Sequence, residues 1–201
     1  MAILLFVGVS LGVPHLAVGQ ENPFADLKET FENGAIFKAD FHHQTVDSYT
    51  QDTVASDGEI WVGKKQYKVQ SGPQTVVVDG KISKVYDQRK NRVIVSKYIP
   101  EEDDFAPSRI LNGVDSTFVV QKEERQGDEI YIRLTSDDPF AIYQEVEIFL
   151  STKLTPKKIV AVDPADNVIT TTFEKGTFVD YSDGLFSLEY PENAELVDMR
   201  N

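Results

Sequence analysis

Imidazoles, thiols and paired carboxylates are the usual raw material of an active site, and in this chain they are few or badly spaced. The 201 residues include no Cys, which removes a thiolate nucleophile, a disulfide framework and a Cys-ligated zinc site together. The three His are His15, His42 and His43. His42 and His43 are neighbours in a segment that alternates like a strand, so their side chains leave opposite faces and do not converge on one metal ion. One is expected at the surface and the other partly packed. A Ser nucleophile needs a base and an orienting acid, but no G-x-S-x-G elbow is present. No G-x-x-x-x-G-K-[ST] or G-x-G-x-x-G loop offers a phosphate cradle. The pairs Asp103-Asp104 and Asp137-Asp138 sit in loop-like surroundings, where charge runs are solvated. No enzymatic activity, metal or cofactor is predicted.

Composition narrows the remaining classes. Asp plus Glu number 33 against 20 Lys plus Arg, a formal charge of −13, which repels a phosphate backbone and argues against nucleic acid. Hydrophobic residues at 41% and charged residues at 26% fit one globular domain long enough to bury a core without staples. Met1 to Val18 carry no charge, and the apolar run is broken by Gly8, Gly12 and Pro14 with no polar stripe, unlike a buried helix. Ala17 and Gly19 fit an A-x-G cleavage site, so residues 1–19 read as a signal peptide and 20–201 as the exported domain. The n-region lacks the usual Lys or Arg. No Cys follows the apolar run, so the chain is not itself an acylated lipoprotein.

The elements follow from periodicity. Asn22-Pro23 is an N-cap with Pro at the first helical position, and Phe24, Leu27 and Phe31 then recur at helical spacing up to Gly34. From Ile36 the period becomes two, with Phe37, Ala39 and Phe41 on one face and Lys38, Asp40 and His42 on the other. The alternation returns at Ile130, Ile132 and Leu134, and at Val146, Ile148 and Leu150. Further β-rich runs are Ile60 to Val69, Thr75 to Val78, Lys81 to Tyr86, Arg92 to Tyr98, Thr117 to Lys122, Lys158 to Val162, Val168 to Phe173 and Leu185 to Tyr190. Asp79-Gly80, Gln126-Gly127-Asp128, Asp163-Pro164 and Asp183-Gly184 supply turns. The sum is about eleven short antiparallel strands, mainly β, forming one strongly curved sheet or a barrel. Pro107 to Asn112 reads as a short second helix ended by Gly113. A curved sheet capped by short helices encloses an apolar cavity.

Several of these segments resemble a known family. Asp57-Gly58-Glu59-Ile60-Trp61-Val62, then Val76-Val77-Val78-Asp79-Gly80-Lys81 and Val85-Tyr86-Asp87, are similar in order and spacing to motifs of the periplasmic outer-membrane lipoprotein carriers, the LolA family. Phe37-Lys38-Ala39-Asp40-Phe41-His42-His43-Gln44 resembles that family's opening strand after its first helix. Ala106-Pro107-Ser108-Arg109-Ile110-Leu111 stands where its lid segment belongs, and Leu154-Thr155-Pro156 matches more loosely. The resemblance covers most of residues 24 to 200. It implies an incomplete β-barrel with an apolar concave face and a lid of short helices. It also implies a periplasmic monomer that binds lipoprotein acyl chains, meeting an inner-membrane donor complex and an outer-membrane acceptor transiently without inserting stably into either membrane. A carrier of another lipid or glycolipid on the same fold, or an outer-membrane-side acceptor, is the alternative.

Strand parity then assigns the acyl-binding wall to Phe37, Ala39, Phe41, Ile130, Ile132, Leu134, Val146, Ile148 and Leu150, with Leu27, Phe31, Ile110 and Leu111 on the lid. Ile60 and Trp61 have opposite parity, so one of them faces the cavity. The family has an Arg after the tryptophan strand that ties the lid, and here Gly63-Lys64-Lys65 places Lys64 at that position. Lys64 is therefore the expected lid tether, without the planar fork of a guanidinium.

Overall fold

The computed structural model describes residues 22–100, 103, 110–111 and 118–200. The signal-peptide reading of residues 1–19 lies outside them, as does most of the second helix, of which Ile110 and Leu111 are helical. Helix α1 (Pro23–Glu32) begins as the sequence requires: the Asn22 side chain accepts a hydrogen bond from the Ala25 N–H at 3.1 Å, and Pro23 follows it. Gly34, at φ +90°, turns the chain out of the helix.

Among the described residues twelve strands follow: β1 (Ile36–Val46), β2 (Thr53–Val62), β3 (Tyr67–Ser71), β4 (Gln74–Val78), β5 (Ile82–Asp87), β6 (Arg92–Lys97), β7 (Phe118–Gln126), β8 (Glu129–Ser136), β9 (Glu145–Ser151), β10 (Pro156–Val162), β11 (Val168–Val179) and β12 (Glu195–Asp198). They form one sheet in the order β12-β6-β5-β4-β3-β2-β1-β11-β10-β9-β8-β7, with β12 and β7 as its free ends. The half-barrel is therefore open.

Three expectations need correction. The run Ile60 to Val69 is two strands, because Gly63 N–H donates to Gln66 C=O at 2.8 Å and closes a turn inside it. Leu185 to Tyr190 is not a strand. Its surroundings pack on the outside of the sheet instead, with Tyr181 stacked on Phe186 and Tyr190 against Tyr86. The last strand is β12, and it runs parallel to β6, so the sheet is not wholly antiparallel.

Turns at 47–52, 72–73, 88–91, 137–144 and 163–167 lie on one rim of the sheet, and turns at 63–66, 79–81, 127–128 and 152–155 on the other. Because α1 leads directly into β1, its C-terminal end lies at the second rim. Six strand steps separate β2 from β7 (β2-β1-β11-β10-β9-β8-β7), roughly 29 Å along a flat sheet at about 4.8 Å each. The ten residues of α1 reach only about 15 Å, yet the helix touches both regions, which requires the sheet to curl around it.

Candidate functional site

The inner face is assembled by cross-strand register. Ile132 of β8 lies opposite Ile148 of β9, Ile148 opposite Ile159 of β10, Ile159 opposite Thr171 of β11, and Thr171 opposite His43 of β1. One row toward the first rim, Leu134, Val146, Ala161, Ile169 and Thr45 line up in the same way. On the other wing Ala39 faces Ile60, Ile60 faces Val69, and Val69 faces Val76. Phe37, Ala39, Phe41, Ile130, Ile132, Leu134, Val146, Ile148 and Leu150 all fall into one buried cluster, together with Leu27, Phe31, Ile110 and Leu111. Ile159, Ala161, Ile169 and Phe173 complete this surface. They come from the two strands that lie between β1 and β9, and no motif marked them.

Gly58 fixes the floor of this face. A Cβ there would stand 2.0 Å from the Gln70 carbonyl oxygen and 2.9 Å from the Phe41 ring. Phe37 meets Phe173 edge-on at 5.3 Å between ring centres and Phe178 at 5.7 Å, and Phe178 in turn takes the edge of Phe31 from α1 at 5.7 Å. Aromatic packing thus joins helix to floor.

Helix α1 is strapped at both ends. At its start the Phe24 N–H, which has no partner within the helix, donates to the Glu123 carboxylate of β7 at 2.7 Å. Glu123 lies opposite Ile132 in register, so it shares the inner face, and its negative charge meets the positive end of the helix dipole. At the other end the Lys64 ammonium pairs with the carboxylate of Glu32, the last residue of α1. Lys64 therefore meets a side chain of the first helix, and both partners are half-exposed. Glu123 and Glu32 were not singled out by sequence. Strand parity would have sent Glu123 to the face opposite Phe118 and Val120, and only the bulge between Val120 and Lys122 turns it inward.

The first rim holds the mouth of the inner face. A cavity of about 450 Å³ opens there between His43, Thr45, Ile142, Tyr143, Asp163, Pro164 and Ile169. His43 Nδ1 lies 2.8 Å from the hydroxyl of Thr171, a buried polar side chain.

The outer face is different in kind. Trp61, opposite Lys38 on one side and Lys68 on the other, has their ammonium groups over its ring at 5.1 and 5.5 Å. Ile60 therefore faces inward and Trp61 outward, although only 8% of Trp61 is exposed. His42 Nδ1 lies 2.7 Å from Asp57 on this side, so the two His separate to opposite faces. The Tyr131 hydroxyl donates to Glu147 at 2.6 Å, and that bond, with burial and the Glu147 charge behind it, pushes its ionisation up to about 12. Of the carboxylate pairs, Asp103 accepts from the Tyr98 hydroxyl at 2.8 Å and Asp138 from the Phe140 N–H at 2.9 Å. Asp104 lies outside the described residues.

Comparison with known proteins adds to this geometry. The family model for outer membrane lipoprotein carrier protein LolA matches residues 33–189. No curated protein sequence matches the chain. Among solved structures, an uncharacterized conserved protein from Thermus thermophilus superposes with a TM-score of 0.55 at 12% identity, covering 87% of this chain and 96% of that one. A LolA superfamily protein from Nitrosomonas europaea gives 0.46 at 13% identity, covering 82% and 96% respectively. Likeness at such identities concerns the fold. Among the described residues no helix is long and apolar enough to cross a membrane.

Proposed function

The chain belongs to the LolA family of outer membrane lipoprotein carriers, and from that premise we propose that it holds lipoprotein acyl chains against the inner face of its half-barrel and carries them through the periplasm toward the outer membrane. The observation that carries this reading is the largely apolar inner face of an open sheet, covered by a helix whose own apolar side chains Phe24, Leu27 and Phe31 are buried in it. A lipoprotein's hydrocarbon tails gain about 0.8 kcal/mol per CH₂ withdrawn from water. A carrier must supply such a surface and then give it up, which favours an apolar wall behind a movable cover over a deep polar-anchored pocket.

In this mechanism α1 and the segment bearing Ile110 and Leu111 occupy the space that acyl chains take. Loading displaces α1, whose Phe24, Leu27 and Phe31 are replaced by methylenes along Phe37, Ala39 and Phe41 of β1 and along Ile130, Ile132, Leu134, Val146, Ile148 and Leu150 of β8 and β9. Release follows when α1 returns, guided by Lys64 at one end and Glu123 at the other. An inner-membrane donor and an outer-membrane acceptor are the partners this cycle needs.

The test is a titration of the folded protein with a solvatochromic acyl probe. Saturable one-to-one binding is expected, lost in Ile148→Asp and retained in Trp61→Phe, which changes only the outer face. A natively folded protein that leaves the probe in water would overturn the reading.

A further inference from the structure

Two aromatic side chains stand almost fully in solvent on the first rim, Tyr49 at 93% exposure and Phe140 at 91%. Their turns are built alike. Asp47 accepts from the Tyr49 N–H at 2.9 Å, and Asp138 accepts from the Phe140 N–H at 2.9 Å, so each ring follows an Asp two residues earlier that caps its own backbone. A third turn repeats the device without a ring, Asp163 accepting from the Ala165 N–H at 2.8 Å. The turns belong to neighbouring hairpins, and Ser48 ties two of them together through Asn167 at 2.9 Å and the Ala165 carbonyl at 2.7 Å. Bonds from the Thr50 and Tyr49 N–H groups hold the Asp47 carboxyl below the usual carboxylate range.

An exposed aromatic on a floppy loop says little. One held by its own turn loses little freedom on docking and gains its whole ring area, which is the economy of an interface anchor. The charge around these rings selects what they meet. The loops 47–52, 137–144 and 163–167 contain Asp47, Asp52, Asp137, Asp138, Asp163 and Asp166 and not one Lys or Arg. The basic pair Arg89-Lys90 sits on the same rim in the turn 88–91, four strands beyond β1 in the sheet order, so an anionic membrane surface is repelled by the stretch that carries the two rings, and so is a second copy presenting the same stretch.

We propose that this rim is a docking face for a protein partner whose surface offers apolar sockets ringed by Lys and Arg. It lies at the opposite end of the half-barrel from the Lys64 turn and the C-terminal end of α1, so a partner seated there covers the mouth beside His43 and leaves the helix free to move. The docking face stands independently of what the inner face carries.

The test is an NMR titration of the full-length chain with an alternating Lys/Leu peptide, a Glu/Leu peptide of equal length, and vesicles of phosphatidylethanolamine and phosphatidylglycerol. The Lys/Leu peptide is expected to shift amides of the three loops. Its affinity should fall at least about tenfold in Tyr49→Ser/Phe140→Ser, and by a similar factor in Asp137→Asn/Asp166→Asn, whose side chains do not cap the turns. The Glu/Leu peptide and the vesicles should leave the rim unshifted. Shifts scattered away from the rim, undiminished affinity in both double variants, binding of vesicles through the rim, or rim shifts produced by protein concentration alone would each overturn the proposal. Loss of acyl-probe binding with rim docking intact would strike the carrier reading and leave this one standing.

Discussion

Lys64 and Glu32 meet in solvent, and that position limits what their pairing does. Exposed ion pairs contribute at most about 1 kcal/mol, whereas burying Phe24, Leu27 and Phe31 contributes about 2 kcal/mol each. Apolar packing therefore holds α1 down, and Lys64 sets where its end lands. Lys64→Ala, by weakening the return of α1 that expels cargo, is expected to slow acyl-probe dissociation by no more than about fivefold, and Lys64→Arg, with a planar fork for the Glu32 carboxylate, to speed it. Stopped-flow dissociation rates check both, and three identical rates would reduce Lys64 to a solvated cation. Gly58 is a stiffer requirement. Its missing Cβ makes room for the Gln70 carbonyl and the Phe41 ring, so Gly58→Ala should cost about 3 kcal/mol in thermal or urea unfolding. Tyr131 supplies a pH signature. Its proton is held more tightly in the folded state, with ionisation near 12, so its contribution to stability is complete below the ordinary tyrosine value of about 10 and is lost as pH rises through the folded value. A tyrosinate absorbance titration should contain a late-ionising component, and Glu147→Ala, which removes the accepting carboxylate, should bring that component down.

The helix and most strands could be read directly because their signals are local. Asn22-Pro23 starts α1, and strict alternation marks β1, β8 and β9, where one face is buried and the other wet. Local signals fail where an element serves something distant. Leu185 to Tyr190 has strand-like residues, but they follow the turn at Gly184, at φ +83°, and the neighbouring rings cover the outside of β5 and β6 without joining a ladder. Ile60 to Val69 has strong strand formers at both ends, and the Gly63–Gln66 turn between them carries none of the usual turn pairs, only the weak-strand residues Gly63, Lys64 and Lys65. Within the candidate site, parity placed the wall residues of β1, β8 and β9 on one face, while the intervening β10 and β11 needed the sheet order, which no single strand encodes. Glu123 illustrates the same limit: its carboxylate matters only because a helix N-terminus ninety-nine residues away in sequence arrives beside it. Removing that charge with Glu123→Gln keeps a hydrogen-bond acceptor and loses the dipole attraction. Amides in the first turn of α1 are then expected to exchange faster with solvent while those of β8 and β9 keep their protection, and uniform exchange across both elements would mean that the helix and sheet open together.

At the scale of the whole molecule, the half-barrel is an open sheet that has already filled itself. Phe31, Leu27 and Leu111 have no exposed surface, so cargo on the inner face competes with the protein's own side chains. The burial of Phe24, Leu27 and Phe31 amounts to about 6 kcal/mol, and roughly eight methylenes at about 0.8 kcal/mol each are needed to offset it. Binding should therefore switch on with acyl length: octanoyl probes sit near the break-even point, and hexadecanoyl probes well beyond it. The coupling to α1 is what distinguishes this from ordinary hydrophobic partition. Leu27→Ala weakens the helix's hold by about 2–3 kcal/mol, which corresponds to roughly three methylenes, and should move the threshold to chains shorter by about that number. A Glu32→Cys/Lys64→Cys variant joined by a bis-maleimide uses the absence of native cysteine to pin the helix end, and should bind no probe of any length until the link is omitted. Isothermal titration across a series of acyl lengths reads both effects. A threshold unmoved by Leu27→Ala, with the pinned protein still binding hexadecanoyl probe, would place the acyl chains somewhere other than beneath α1.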